Sequence, residues 1–226
     1  PASQATVSVF DRGFRMGDGV FDTARTFRHR PYKLREHLER LYRSLDYIRV
    51  DLKITLEEME AKTLQVVEHN VAFLQPQDDV WITQVVSRGP LRTTGAPTVV
   101  ILTEPLPFAS FARYHRLGVS LVTPGLRHTP AQSVEPRAKT VSRMNLVLAE
   151  LEAQQRDPEA WGLLLDLDGD PLGLVFREIL RARVRVDPGR VDDLLRDVRP
   201  DAVDVLERDD RALLVRDINT SDARHG

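Results

Sequence analysis

Apolar residues recur at helical spacing between positions 34 and 48, and charged residues occupy the positions between them. The recurring residues are Leu34, Leu38, Leu41, Leu45 and Ile48. Spacings of three and four residues place such side chains along one side of an α-helix. The pattern therefore predicts an amphipathic helix that packs against a core through its leucines.

A second helix and several strands are predicted around the first helix. Thr55-Leu-Glu-Glu58 has the form of a capping box, which predicts that a helix begins there. Runs rich in β-branched residues predict strands over 80–87 and 98–103. Alternation over 5–10 predicts another strand, followed by a turn at Asp11-Arg-Gly13. Together these elements predict a small N-terminal α/β domain over residues 1–105.

The chain composition changes after this domain. Prolines at 105 and 107 and the aromatic and basic residues up to Gly118 predict an interdomain linker over 106–118 rather than a packed element. A strand over 119–124, a helix over 142–153 and a buried strand over 162–167 follow. The helix has Met144, Leu148 and Leu151 along one face. Residues 119–172 thus begin a second α/β domain, and the predicted fold class is α/β (α+β) with two domains.

Hydrophobic periodicity is lost after Leu172. Arginine and aspartate crowd residues 173–226, which contain no lysine. This atypical Arg/Asp-rich tail predicts that the second domain is incomplete or divergent. A reading-frame change or a fusion to unrelated sequence would produce such a switch, and a divergent native tail is the alternative.

Composition restricts the partners of the chain. A formal net charge of -2 gives no field that would attract nucleic acid or an anionic membrane. The absence of cysteine excludes disulfides and thiolate chemistry. The six histidines show no metal-ligand spacing, so no metal site is expected. No apolar run is long enough to cross a bilayer and no charged-then-apolar leader is seen, so the expected location is the cytoplasm.

Lysine is scarce in this chain, and Lys139 is one of only four among 32 basic residues. It lies in the segment 136–145, just before a predicted helix. A lysine amine can form a Schiff base, whereas a guanidinium cannot. Taken alone, the segment is more typical of a solvated lysine in a first helical turn.

Three segments together resemble the class IV pyridoxal-phosphate-dependent aminotransferases. They are the stretch 7–25, which contains Gly17-Asp-Gly-Val-Phe-Asp22; the stretch 34–44, of the form H-x-x-R-L-x-x-S; and the Lys139 segment with its helix and the strand from Trp161 to Gly169. They occur in the order typical of the family and span roughly residues 5–171. The resemblance implies the two-domain architecture of fold type IV.

The resemblance also implies a reaction and the residues that perform it. The expected activity is transfer of an amino group between an amino acid, with branched-chain substrates favoured, and a 2-oxo acid, with pyridoxal 5'-phosphate as cofactor. Lys139 matches the lysine that forms the Schiff base and shuttles the proton. Arg40 matches the arginine that holds the cofactor phosphate. A homodimer is expected.

Weaker expectations concern substrate binding. Phe21 and Arg25 fall where the family lines the substrate pocket, and Arg92 in the loop after residue 87 could place a cation near a substrate carboxylate. Each has an ordinary alternative: Phe21 could pack as a strand residue, and the loop arginine could face solvent. Arg40 could likewise be an exposed helix residue paired with Glu36.

Two departures from the family pattern concern the cofactor ring. An ungapped continuation places Gly173 where the family carries the glutamate that protonates the pyridine nitrogen, and Met144 where a tyrosine is common. These departures favour weak or absent turnover. The alternatives are therefore a non-catalytic or truncated relic without productive cofactor, an aminodeoxychorismate lyase-like enzyme, or a D-amino-acid or amine transaminase.

Overall fold

The computed structural model describes residues 4–91, 96–169 and 171–174. These residues form two compact units. The first contains Pro1–Leu106 together with Glu135–Ser142, and the described part of the second contains 107–134 and 143–174. The segment around Lys139 therefore belongs to the first unit, although about thirty residues of the second unit separate it in sequence from Leu106.

A four-stranded antiparallel sheet forms the centre of the first unit. Its strands are β1 (Gly19–Phe27), β2 (Arg30–Tyr32), β3 (Val80–Ser87) and β4 (Thr98–Pro105). The strand order is β2-β1-β3-β4. β1 lies opposite β3 in a register that pairs Phe21 with Val85 and Arg25 with Trp81. Phe21 and Arg25 consequently lie on the same face of the sheet.

Helices cover the other face of this sheet. The covering helices are α2 (Leu34–Tyr47) and α3 (Leu56–Val71), and the short helix that precedes the sheet, α1 (Arg12–Met16), buries no residue. The core is closed by the leucines of α2, by Met59 and Val67 of α3, and by alternate residues of β1 and β3. The predicted amphipathic helix is confirmed, since Leu34, Leu38, Leu41 and Leu45 are all buried. The capping box is also confirmed, with Thr55 and Glu58 each bonded to the other's backbone N–H.

The N-terminal segment differs from its prediction. Residues 5–10 form no strand, and the predicted turn is the start of the short helix α1. The carboxylate of Asp11 accepts hydrogen bonds from the backbone N–H groups of Gly13 and Phe14, which caps this helix. Gly17 ends it in the left-handed conformation, φ 67°. Local capping thus outweighs the alternating pattern.

The strand β1 is difficult to recognise in the sequence because polar residues occupy some of its buried positions. Its core-facing residues are Val20, Asp22, Ala24 and Thr26, all at most 2% exposed. Two of these four side chains are polar, so the alternation of apolar and polar residues that marks a half-buried strand is weak here. The buried polar pair requires hydrogen-bond partners from other elements.

The described part of the second unit contains a three-stranded sheet and two helices. The elements are α4 (Phe108–Leu117), β5 (Leu121–Val122), α5 (Met144–Arg156), β6 (Trp161–Leu165) and β7 (Pro171–Leu174). β6 pairs in parallel with β5 and antiparallel with β7. The segment 106–118, predicted as a linker, contains the helix α4 instead.

Helix α5 packs through a face other than the one that its apolar pattern suggests. Met144, Leu148 and Leu151 are exposed, whereas Ala149 and Ala153 are fully buried. Small side chains allow α5 to approach β6 closely: a Cβ placed on Gly162 would lie 3.1 Å from the carbonyl oxygen of Ala149. The packing is therefore determined by small residues. The predicted tail, apart from its first two residues, lies outside the described residues.

Candidate active site

Lys139 is held beside the first strand of the sheet by main-chain hydrogen bonds. The backbone N–H of Phe21 donates to the carbonyl oxygen of Lys139 at 2.9 Å, and the N–H of Val141 donates to the carbonyl oxygen of Gly19 at 3.0 Å. A β-bridge joins Val20 to Thr140. The segment therefore extends the sheet edge locally, and the position of Lys139 is fixed relative to Phe21.

Helix α2 contributes a polar stripe to the same region. His37, Arg40, Ser44 and Tyr47 follow one another at spacings of three, four and three residues, which places them along one face of the helix. The hydroxyl of Ser44 accepts the backbone N–H of Lys139 at 3.2 Å. The hydroxyl of Tyr47 accepts the N–H of Glu135 at 2.9 Å. The C-terminal half of this stripe thus holds the lysine segment.

The N-terminal half of the stripe binds Asp22, which is completely buried. Arg40 donates from Nε to Oδ2 of Asp22 at 2.7 Å and from Nη2 to Oδ1 at 2.8 Å. The Nδ1 of His37 donates to Oδ1 at 2.8 Å, and so does the backbone N–H of Thr23 at 2.7 Å. Asp22 accordingly accepts four hydrogen bonds, and the three from Arg40 and His37 join the strand to the helix.

Charge stabilises this buried carboxylate. Burial alone raises the pKa of Asp22, but hydrogen bonds from Arg40 and His37 outweigh burial, and the charges of Arg40 and Lys139 add to their effect. The net result is a pKa below the usual aspartate value. Asp22 is therefore an anion at neutral pH, and it lies within electrostatic range of both Arg40 and Lys139.

The side chain of Lys139 lies against an aromatic ring. Its Nζ is 4.9 Å from the ring centroid of Phe21, a distance at which a cation and the π-electrons of a phenyl ring attract each other. Phe21 itself is half-buried.

The structure brings only part of the predicted set together. Lys139 lies against Phe21, and Arg40 pairs with Asp22, the next residue along β1. By contrast, the guanidinium of Arg25 lies 3.9 Å from the ring centroid of Phe27. Phe27 is farther along β1 than Arg25, so this side chain extends away from the lysine. Arg92 lies outside the described residues.

Burial also affects Arg25. It lowers the pKa of the guanidinium from its usual value, although the charge of Asp79 works in the opposite direction. The Nε of Arg25 donates to the carbonyl oxygen of Thr26 at 3.1 Å. These contacts hold the Arg25 side chain along β1.

Sequence reasoning missed three contributors to the site. Asp22 lies on the core face of a strand, and His37 and Ser44 are present in the sequence only as the first and last positions of the H-x-x-R-L-x-x-S pattern. The spacing of His37, Arg40 and Ser44 was a usable signal, because it places three polar residues on one helical face next to the leucine face. The partner of that polar face could not be read from spacing.

The described residues offer partners for two groups of the cofactor that the resemblance implies, its aldehyde and its phosphate. A lysine amine and an arginine lie in one unit around a shared buried anion, which suits an aldehyde that also carries a phosphate. Gly173 lies opposite Leu164 in the pairing of β6 with β7, next to a register shift between Leu164 and Leu165. Glycine offers no carboxylate to the ring nitrogen.

Metal ligation and membrane insertion find no support in the described part of the chain. No group of three or more His, Asp or Glu side chains there is arranged to hold a metal ion. Among the same residues, none of the helices combines the length and apolar character needed to cross a membrane.

Comparison with known families gives a match over most of the chain. The profile of the family described as amino-transferase class IV matches residues 19–172. A Methanocaldococcus jannaschii protein, provisionally named a branched-chain-amino-acid aminotransferase, is 28% identical over 236 aligned positions, covering 96% of this chain and 77% of that protein. A D-alanine aminotransferase from Bacillus licheniformis is 34% identical over 68 residues, or 30% of this chain and 24% of that enzyme.

Solved structures show the same fold. A hypothetical aminotransferase from Mycobacterium tuberculosis in its PLP-bound form gives a TM-score of 0.66 at 22% identity, covering 77% of this chain and 61% of that one. A branched-chain aminotransferase from Thermoproteus uzoniensis with norvaline gives 0.63 at 24% identity, covering 76% and 59%. The chain thus spans about 60% of the length of these solved relatives.

Proposed function

Because this chain belongs to the class IV aminotransferases, we propose that it is a pyridoxal-phosphate-dependent transaminase that transfers an amino group between an amino acid and a 2-oxo acid. One observation carries the proposal: Arg40 is bonded to the buried carboxylate of Asp22, and the charge of Lys139 acts on the same carboxylate within a single unit. An amine and a phosphate-binding cation at one place are the two groups that this chemistry first requires.

Each residue has a defined role in this proposal. The amine of Lys139 would hold the cofactor through its aldehyde, with loss of water, and, once displaced by the substrate amine, would move the proton at the substrate α carbon. Arg40 binds the phosphate, and Phe21 lines the substrate side next to the amine. Arg25 and Arg92 remain proposed contacts for a substrate carboxylate. The cofactor, when bound, supplies an electron-withdrawing ring that stabilises the carbanion.

Branched-chain substrates are the favoured class. They are supported by the names of the Methanocaldococcus and Thermoproteus relatives. The match to D-alanine aminotransferases covers a shorter segment, so D-amino acids are the second choice. We propose further that the protein acts in the cytoplasm and as a homodimer.

Covalent trapping followed by an activity panel tests the proposal. The purified chain is incubated with pyridoxal 5'-phosphate, reduced with borohydride and digested, and the modified peptide is identified by mass spectrometry. The expected adduct is on Lys139. Amino transfer from L-leucine, L-valine, D-alanine and an amine to 2-oxoglutarate is then measured. An absence of any adduct on Lys139 would overturn the proposal, and an adduct without amino transfer would identify a cofactor-binding relic.

A further inference from the structure

Arg40 and Asp22 are bonded to each other but differ in their exposure to solvent. The carboxylate of Asp22 is completely buried, whereas 38% of the Arg40 side chain is exposed. The bonded edge of the guanidinium, Nε and Nη2, faces the carboxylate. Arg40 therefore reaches from a buried anchor towards the surface of its unit with a fixed orientation.

We infer that Asp22 is a positioning residue that holds Arg40 ready for the cofactor phosphate and thereby sets the preference of the chain for phosphorylated over unphosphorylated pyridoxal. This inference rests on the proposed function. It assigns to Asp22 an effect on the phosphate group through Arg40, since its hydrogen bonds go to Arg40, His37 and the backbone of Thr23, whereas its charge acts on Lys139 whether or not the cofactor carries a phosphate.

Asp22 could affect phosphate binding in two opposite directions. Its negative charge repels a phosphate, which would weaken binding. Its hold on Arg40 removes the freedom of a long side chain in advance, which strengthens binding. Two hydrogen bonds from Arg40 and one from His37 already balance the carboxylate charge. The repulsion is therefore largely cancelled, and the positioning effect is the larger one.

Two substitutions separate position from charge. Asp22→Asn removes the charge and one strong acceptor oxygen, so Arg40 loses its paired hydrogen bonds. Asp22→Glu keeps the charge but adds one methylene, which displaces the guanidinium. Positioning predicts that both variants lose phosphate preference, whereas a pure charge effect predicts no loss in Asp22→Glu and a gain in Asp22→Asn.

The experiment measures affinities of the full chain for pyridoxal 5'-phosphate and for pyridoxal by absorbance titration. The readout is the ratio of the two dissociation constants. We expect Asp22→Asn to reduce the preference for the phosphorylated form about tenfold, which corresponds to roughly 1.4 kcal/mol. Arg40→Ala should reduce it at least as much. The double variant should lose no more than Arg40→Ala alone, because Asp22 acts through Arg40.

A matched control is available in the same sheet. Asp79 is a second buried aspartate, and it accepts hydrogen bonds from Thr26, Arg28 and His29 far from the lysine segment. Asp79→Asn is expected to change stability but not the ratio. A ratio that is unchanged or increased in Asp22→Asn would overturn the inference. So would a loss in Asp22→Asn that persists in the Arg40→Ala background.

The test still gives a result if one of the variants does not fold. If Asp22→Asn is insoluble, Asp22→Glu carries the same test, because it preserves the buried charge. The proposed function is tested separately, on the unaltered chain. If that chain gains no adduct on Lys139 and shows no phosphate preference, both the proposed function and the positioning role of Asp22 are overturned. An adduct and a phosphate preference that survive in the Asp22 variants overturn only the positioning role.

Discussion

The backbone N–H of Phe21 donates a 2.9 Å hydrogen bond to the carbonyl oxygen of Lys139. This bond joins two residues that are more than a hundred positions apart, and it uses no side-chain atoms. The side chain of Lys139 can therefore be exchanged without removing the contact that positions it. The amine of Lys139 then lies 4.9 Å from the centroid of the Phe21 ring.

Lys139→Ala is expected to fold and to lose covalent attachment of pyridoxal 5'-phosphate completely. The reason is that the main-chain bonds of the segment remain while the amine is removed. Mass spectrometry after borohydride reduction measures the attachment. Lys33→Ala and Lys53→Ala are matched controls and should retain the adduct. An adduct of undiminished yield in Lys139→Ala would show that another amine is the reactive one.

Arg40→Ala is expected to destabilise the fold by about 1–3 kcal/mol, because it leaves the buried carboxylate of Asp22 without its main partner. The control is Arg35→Ala on the same helix, whose arginine makes exposed ion pairs with Glu57 and Glu60. Exposed pairs contribute little. Urea denaturation measures both variants, and equal stabilities would show that Asp22 is satisfied without Arg40.

Asp79→Asn is expected to cost about 1–3 kcal/mol near neutral pH. Burial raises the pKa of Asp79, but hydrogen bonds from Thr26, His29 and Arg28 outweigh burial and leave the pKa below its usual value. A lowered pKa stabilises the fold above the unfolded value of about 3.9, and this contribution is lost as pH falls through the folded value. Urea denaturation from about pH 6 to about pH 3 should therefore show the difference between original chain and variant shrinking in acid. A difference that grows in acid would contradict the assignment.

Gly19→Ala is expected to destabilise the first unit by roughly 1–3 kcal/mol. A Cβ at this position would lie 2.6 Å from the carbonyl oxygen of Val86, so the backbone of β1 or β3 must move. Gly125→Ala is the matched control, since its Cβ would meet only Glu152 at 3.7 Å. Thermal unfolding followed by circular dichroism compares the two, and similar melting temperatures would contradict the close approach.

Turnover of the chain is expected to lie below the ordinary range of roughly 1 to 1000 per second, because Gly173 supplies no carboxylate to the ring nitrogen. Gly173→Glu is the substitution expected to raise it. In the backbone pairing of β6 with β7, position 173 lies opposite Leu164. A leucine-to-2-oxoglutarate transfer assay measures the rate, with Leu174→Glu at the neighbouring position as the control. Ordinary turnover of the unaltered chain would show that another group protonates the ring.

Local pattern alone was enough to predict several elements. The start of α2 and its buried leucines, the capping box of α3 and the bounds of β3 agree with the structure. These features depend on periodicity and capping, which act between residues a few positions apart. Lys139 and Arg40 could be nominated from sequence because they match family motifs, but their roles remain proposals.

Only the tertiary structure joined the nominated residues to Asp22 and Ser44. Lys139 and Ser44 are 95 positions apart, and Asp22 and Arg40 are 18 positions apart on different elements. Buried polar groups must find partners wherever the fold places them, so their pairing depends on packing rather than on local sequence. The same reason explains why β1 was hidden: its buried Asp22 and Thr26 look like surface residues until α2 and Asp79 supply the hydrogen bonds that make their burial favourable.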